Sequence, residues 1–221
     1  MWGRPCHNAG VTQIETEALI FDMDGLLIDS EPVWWRVEAA LAQRHGVSWT
    51  DELAAQQVGK GLDHLIEVMR EHGLQLTVEA GVTELIDDFI ERVDELSLQP
   101  GVVELLEASE GMPRALATSS PRRLAEAVLK RFALTPRFDV TVTATDVTHA
   151  KPAPDIFLAA CEGLGKRGVV LEDSFAGVTA AVAAELPVIA VPELDPERFA
   201  ALTPYVVNDL HEARKLLLLK R

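Results

Sequence analysis

Four short stretches hold the residues able to do chemistry. Asp22 and Asp24 flank Met23 and are followed at once by Gly25. Thr118, Ser119, Ser120 and Pro121 form the second stretch, Lys151 stands in the third, and Glu172, Asp173 and Ser174 make the fourth. Asp22, Asp24 and Asp173 offer hard oxygen donors, which suit Mg2+; that ion needs few protein ligands because it keeps waters and takes substrate phosphate oxygens. Ser120 reads as an N-cap and Pro121 as the first helical residue, an arrangement that turns free backbone N–H groups toward an anion. With the Thr118 hydroxyl these donors make a phosphate cradle, and Lys151 adds a fixed positive charge. A cation, a helix N-terminus and an ammonium around a carboxylate suit phosphoryl transfer, whose catalysis is chiefly positioning and electrostatic stabilisation. Each stretch alone has an ordinary explanation. A strand-end Asp is often a turn or cap residue, a Ser-Pro pair is often a helix start, and a single lysine is often a solvated charge. The four together, in this order on one edge, are not explained by packing.

That edge is supplied by short apolar runs that read as strands: Ala18 to Phe21, Arg114 to Ala117, Val140 to Thr143, Gly168 to Leu171 and Val188 to Val191, with a weaker one at Tyr205 to Val207. Most lack strict alternation, as expected of strands buried on both faces of a parallel sheet. Helical stretches lie between them, at Val102 to Ala108, Pro121 to Phe132, Asp155 to Leu164 and Ala176 to Glu185. Strand alternating with helix predicts an α/β fold with a doubly wound parallel sheet. Ligands in such sheets bind at the carboxyl ends of strands, where all four stretches fall. The rhythm breaks between the first and second strands. From about Ser30 to Gln99 the sequence is helical throughout, with Ser30 as an N-cap, Pro32 in the first turn, and apolar stripes such as Leu62, Leu65, Ile66 and Met69. This predicts a helical insert, a small second domain or cap. The expected division is a tail over residues 1–16, a core over 17–29 and 100–221, and a cap over 30–99. Trp34, Trp35 and Trp49 are expected to pack within the insert.

The bulk composition narrows the class. A chain of 221 residues with 48% hydrophobic and 25% charged residues is that of an ordinary globular protein. The net charge of −15 argues against nucleic acid, whose phosphate backbone needs clustered Lys and Arg. The two cysteines, Cys6 and Cys161, show no metal spacing, so a reduced, cytoplasmic setting is expected. No apolar run approaches the length of a membrane span, and the first residues lack the apolar centre of a signal peptide. The run KLLLLKR at the end is expected inside a terminal helix. The charge disfavours tight self-association only weakly, so a monomer or weak homo-oligomer is expected.

The chain resembles the haloacid dehalogenase superfamily of phosphohydrolases over nearly all of its length after the tail. FDMDGLLIDSE, LATSS, KPAPDIF and LEDSFAG resemble the family's four motifs, in order and at matching spacing. The long insert resembles the helical cap of the subgroup that holds β-phosphoglucomutase and sugar-phosphate phosphatases, and GLLIDSEPVW is most similar to the 2-deoxyglucose-6-phosphate and hexitol-phosphate phosphatase branch. The resemblance implies a Rossmann-like core and a role for each motif residue. Asp22 would be the nucleophile. Asp24 would be general acid and then base. Asp22, the Asp24 carbonyl and Asp173 would bind Mg2+, and Glu172 would assist directly or through a water. Thr118 and the Ser119 amide would hold the phosphoryl group, Ser120 would belong to the same cradle, and Lys151 would screen charge. In β-phosphoglucomutase a histidine early in the cap aids phosphoryl transfer; this chain has Trp34 there, which favours hydrolysis over a mutase reaction. The expected substrate is therefore a small phosphate ester, a sugar or polyol phosphate. The alternatives are a phosphotransferase or a silent binder of phosphorylated ligands. The subgroup's specificity loop would be VGKGLDH, residues 58–64, where Lys60 either meets the substrate or stands as an exposed lysine.

Overall fold

In a computed structural model of the chain, residues 13–57 and 60–220 are described. Residues 1–12 of the expected tail, with Cys6, and the loop residues Val58 and Gly59 lie outside them. In chain order the elements are β1 (Ile14–Thr16), β2 (Leu19–Phe21), β3 (Ile28–Asp29), α1 (Glu31–Arg44), α2 (Asp51–Ala55), α3 (Leu62–Glu71), α4 (Val78–Glu91) and β4 (Ser97–Leu98). There follow α5 (Val102–Ala108), β5 (Arg114–Thr118), α6 (Arg122–Arg131), β6 (Val140–Thr143), α7 (Asp155–Leu164), β7 (Val169–Glu172) and α8 (Phe175–Ala183). The chain ends through β8 (Val188–Ala190), α9 (Pro196–Phe199), α10 (Leu210–Leu216) and β9 (Leu217–Leu219).

Five strands form one parallel sheet in the order β6–β5–β2–β7–β8. Leu19 lies between Arg114 and Val169, and Phe21 between Leu116 and Leu171. Every residue of β2, β5 and β7 is buried, because helices cover both faces. Alternate residues divide between two cores. Leu19, Phe21, Leu116 and Leu171 join Leu105, Leu124, Val128 and Leu210 on one face. Ile20, Ala115, Ala117 and Val170 join Ile156, Phe157, Val178 and Ala181 on the other. Strands added later in the chain flank β2 on both sides, so the sheet changes direction at β2. A crevice opens at the carboxyl ends of strands at such a point.

Helices α1 to α4 all lie between β3 and β4, which pair antiparallel with Ile28 opposite Leu98. The return connection is tied to the outgoing one: Gln99 N–H donates to the Leu27 carbonyl (2.9 Å) and its side-chain amide to the Gly25 carbonyl (3.1 Å). Within the insert α1 and α3 pack on α4. Their apolar stripes meet there, with Val37 and Leu41, Ile66 and Met69, and Leu85 and Phe89 fully buried. Thr50 and Thr77 cap α2 and α4 through their hydroxyls, in the manner expected of Thr at an N-cap. Helix α4 also lies against α6, with Arg123 paired to Asp87 and Arg131 Nε 2.7 Å from Asp94. Of the tryptophans, Trp34 stacks on Phe89 with ring centroids 4.2 Å apart, and Trp49 packs at the core margin. Trp35 is 43% exposed and donates to Glu31.

Three expectations change. Residues 14–16 are not tail but β1, paired parallel with β9. The closing leucine run correspondingly leaves α10 after Leu216 and becomes a strand. Four leucines satisfy either geometry, and the available partner decides. Third, α6 begins at Arg122, with Pro121 at the N-cap in extended backbone (ψ 151°), so Ser120 is not the cap. The Ser120 hydroxyl is engaged elsewhere. The weak strand at Tyr205 to Val207 is a single bridge from Val206 to Ala190.

Candidate active site

Strand β2 carries the chain to Asp22, whose N–H still donates to the Leu171 carbonyl of β7 (3.1 Å). Met23 is fully buried, and Asp22 and Asp24 on either side of it face the crevice. The chain then turns back sharply: Gly25 N–H reaches the Ile28 carbonyl (2.9 Å) and Leu27 N–H the Met23 carbonyl (2.9 Å). Gly25 has a φ of +78°, and a β-carbon there would run into the Asp173 carboxylate. Glycine is thus required twice, for the turn and for the approach to Asp173.

Asp22 is only 6% exposed. Lys151 places its ammonium against Asp22 Oδ1, 2.6 Å from Glu172 Oε1 and 3.2 Å from the Ala117 carbonyl. Glu172, with no exposure at all, receives the Ser174 N–H (2.7 Å) and hydroxyl (2.9 Å) on its other oxygen. The Ser174 hydroxyl in turn accepts Gly177 N–H at the start of α8 (3.0 Å). Burial pushes Asp22 up from 3.8 to about 7, Lys151 pulling it down and Glu172 and Asp24 adding to the rise. Burial works against charge on Lys151, but Asp22 and Glu172 outweigh it and hold the ammonium above its ordinary value. Asp173 is pushed well above the usual carboxylate range by burial, then by Glu172 and Asp22.

Carboxylate oxygens of Asp22, Glu172 and Asp173 lie within 4.8 Å of one another. Asp24 Oδ1 and Asp173 Oδ1 are buried with no hydrogen-bond partner among the described residues. Crowded carboxylates, raised affinities for protons and unpartnered oxygens are what a divalent cation relieves. The donor set therefore fits Mg2+, with hard oxygens only.

On the neighbouring strand, Thr118 is buried and its Oγ accepts Ser120 N–H (3.0 Å), its own hydroxyl proton having no acceptor among the described residues. Ser119 is exposed, and its N–H has no partner among the described residues. The Ser120 hydroxyl donates to Asp24 Oδ2 at 2.7 Å. The structure so brings together Asp22, Asp24, Thr118, Ser120, Lys151, Glu172 and Asp173. Lys60 is exposed on the loop before α3, and its N–H is held by the Gln57 carbonyl (3.0 Å). Sequence reasoning missed the Ser174 clamp on Glu172 and the Ala117 carbonyl on Lys151. A serine two residues after a strand-end glutamate, opening a helix, was the available sign of the first. A backbone carbonyl leaves no sign.

The profile of the haloacid dehalogenase-like hydrolases matches residues 16–185. The chain is 37% identical over 183 residues to a phosphorylated carbohydrates phosphatase of Thermotoga maritima, covering 76% of this chain and 81% of that one. It is 34% identical over 213 residues to hexitol phosphatase B of Escherichia coli, covering 87% and 96%. Among solved structures it is similar to CbbY of Rhodobacter sphaeroides in complex with phosphate, with a TM-score of 0.82, 26% identity and coverage of 92% and 97%. The chain belongs to the haloacid dehalogenase-like hydrolases. Within that class it is a phosphoric monoester hydrolase.

Proposed function

We propose that the protein is a Mg2+-dependent phosphatase of a small phosphorylated sugar or polyol, working through an aspartyl-phosphate on Asp22. The observation that carries this is the placement of Asp22: a buried carboxylate against Lys151, on the rim of a three-carboxylate cluster, with Asp24 two residues away across the same opening. An Asp22 oxygen bonds to phosphorus as the bond to the leaving oxygen breaks, and Asp24 gives that oxygen its proton. Asp24 then takes a proton from water as the water attacks phosphorus and frees Asp22. Thr118 and the Ser119 N–H hold the phosphoryl oxygens, and Lys151 offsets their charge. Asp22, Asp173, the Asp24 carbonyl and Glu172 would hold Mg2+, which when bound neutralises phosphoryl charge. Having Asp24 suits an alcohol leaving group, which needs a proton.

The insert over residues 30–99 acts as a cap that closes on the crevice, excludes water and selects the leaving group. Two relatives named for phosphorylated carbohydrates and hexitols support a sugar or polyol there. Trp34 is packed on Phe89 and offers no proton-transferring group where a mutase would use one. Lys60 meets the substrate's polar head on closure, so Lys60→Ala raises KM several-fold while kcat holds; an unchanged KM rejects that role. The reading as a whole is tested by phosphate release from a panel of sugar, polyol and nucleotide monophosphates, with and without EDTA. Hydrolysis of sugar or polyol phosphates that EDTA abolishes is expected. Conversion of β-glucose 1-phosphate to the 6-phosphate with little free phosphate would overturn it in favour of a mutase, and silence across the panel in favour of a binding protein.

A further inference from the structure

The Ser120 hydroxyl has a use that the phosphate cradle does not require. It donates to Asp24 Oδ2 at 2.7 Å across 96 positions of sequence. Ser120 is 8% exposed, and the contact is part-buried. The residue is itself anchored to the cradle, because its N–H donates to Thr118 Oγ at 3.0 Å. The other Asp24 oxygen is buried without a partner among the described residues. The carboxyl group is thus held by one donor, and that donor belongs to the loop that would grip the phosphoryl group. Building on the phosphatase reading above, we propose that Ser120 is a positioning residue: it fixes the Asp24 carboxyl at a set distance from the leaving oxygen of a phosphoryl group held by Thr118 and Ser119.

The chemistry gives the inference a signature. When the bond from phosphorus to an alkyl oxygen breaks, the electron pair stays on that oxygen, which must take the Asp24 proton as it leaves. p-Nitrophenolate leaves without a proton at neutral pH. A misplaced Asp24 therefore slows release of alcohols far more than release of the nitrophenolate. A residue that only bound phosphate or supported the fold would slow both alike. The quantity to read is kcat/KM, which covers the steps up to departure of the leaving group and excludes later hydrolysis of the aspartyl-phosphate.

Wild type and Ser120→Ala are compared on p-nitrophenyl phosphate and on whichever of glucose 6-phosphate, mannitol 1-phosphate and sorbitol 6-phosphate wild type hydrolyses fastest. The expected result is a loss at least tenfold greater on the alkyl ester than on the aryl ester, with most of the difference restored in Ser120→Thr. Should the alanine variant melt early, Ser120→Cys, close in shape but a weaker donor, is read by the same ratio. Equal losses on both esters, or no loss on either, overturn the proposal while leaving the phosphatase reading intact. A wild-type enzyme inactive on every ester removes that reading and this one with it.

Discussion

Asp22 is the residue on which most constraints converge. It is nearly sealed from water, faces Lys151, and shares its surroundings with Glu172 and Asp173. Asp22→Asn keeps the shape and removes the proposed nucleophile, so turnover should fall by roughly 10³-fold or more. The thermal midpoint should move little, since Lys151 keeps Glu172 as partner; substantial residual turnover would reject Asp22 as the attacking group. Gly25 makes a second test. Gly25→Ala forces a β-carbon toward the Asp173 carboxylate at a φ of +78°. Left-handed backbone alone costs a non-glycine residue about 1–2 kcal/mol, and the collision displaces Asp173, a proposed ligand of the metal. The variant should lose stability and need more Mg2+ for half-maximal activity. A wild-type Mg2+ requirement would count against the proposed role of Asp173.

At the scale of elements, helix α1 contains a charge out of place. Glu38 is 7% exposed and, among the described residues, accepts only the Trp49 indole N–H (3.2 Å). Burial raises it from 4.5 to about 7, the Trp49 bond opposing and Glu31 adding. A carboxyl that holds its proton more tightly folded than unfolded stabilises the fold fully below about pH 4.5, and that contribution is lost as pH rises through about 7. Glu38→Gln, which still accepts from Trp49, should match wild type near pH 4 and exceed it by about 1–3 kcal/mol at pH 8. Chemical denaturation at the two pH values measures this; a pH-independent difference would refute it. Elements of this kind were readable where burial is continuous. The runs LIF, RALAT and VVLE are strands because both faces of the sheet are covered, and their ends deliver Asp22, Thr118 and Glu172 to one crevice. Less was readable where a distant partner decides. Ile14 to Thr16 carries no run of its own and becomes a strand only beside Leu217 to Leu219. Glu172 and Asp173 look equivalent in sequence, yet Lys151 and Ser174 claim the first while an oxygen of the second has no partner among the described residues. No spacing rule announces that Ser120 meets Asp24.

For the molecule as a whole, the proposed Mg2+ site at the carboxylate cluster would tie stability to the metal. Burial and mutual repulsion raise Asp22 and Asp173 without a cation, and a ligand that binds only the folded state stabilises it by mass action. At a hundred times its dissociation constant, Mg2+ contributes about 2.7 kcal/mol, or on the order of 5–10 °C in thermal midpoint for a chain of this size. EDTA should reverse the rise, and Asp173→Asn should abolish it; a midpoint indifferent to Mg2+ would contradict a site at this cluster. Among the described residues no helix is long and apolar enough to cross a membrane. The order of strands has a further consequence, for how the chain is made. The middle strand of the sheet, β2, is the first of the five to leave the ribosome, and both its neighbours come later. The whole helical insert must be translated before β5 arrives, on the order of ten seconds at usual elongation rates. During that interval Leu19, Ile20 and Phe21 have no sheet to join, so the nascent chain carries a segment that is fully buried in the fold uncovered. The loop at the end of β2, which carries Asp22 and Asp24, is thus synthesised well before Glu172 and Asp173, which follow only after β5 and β6.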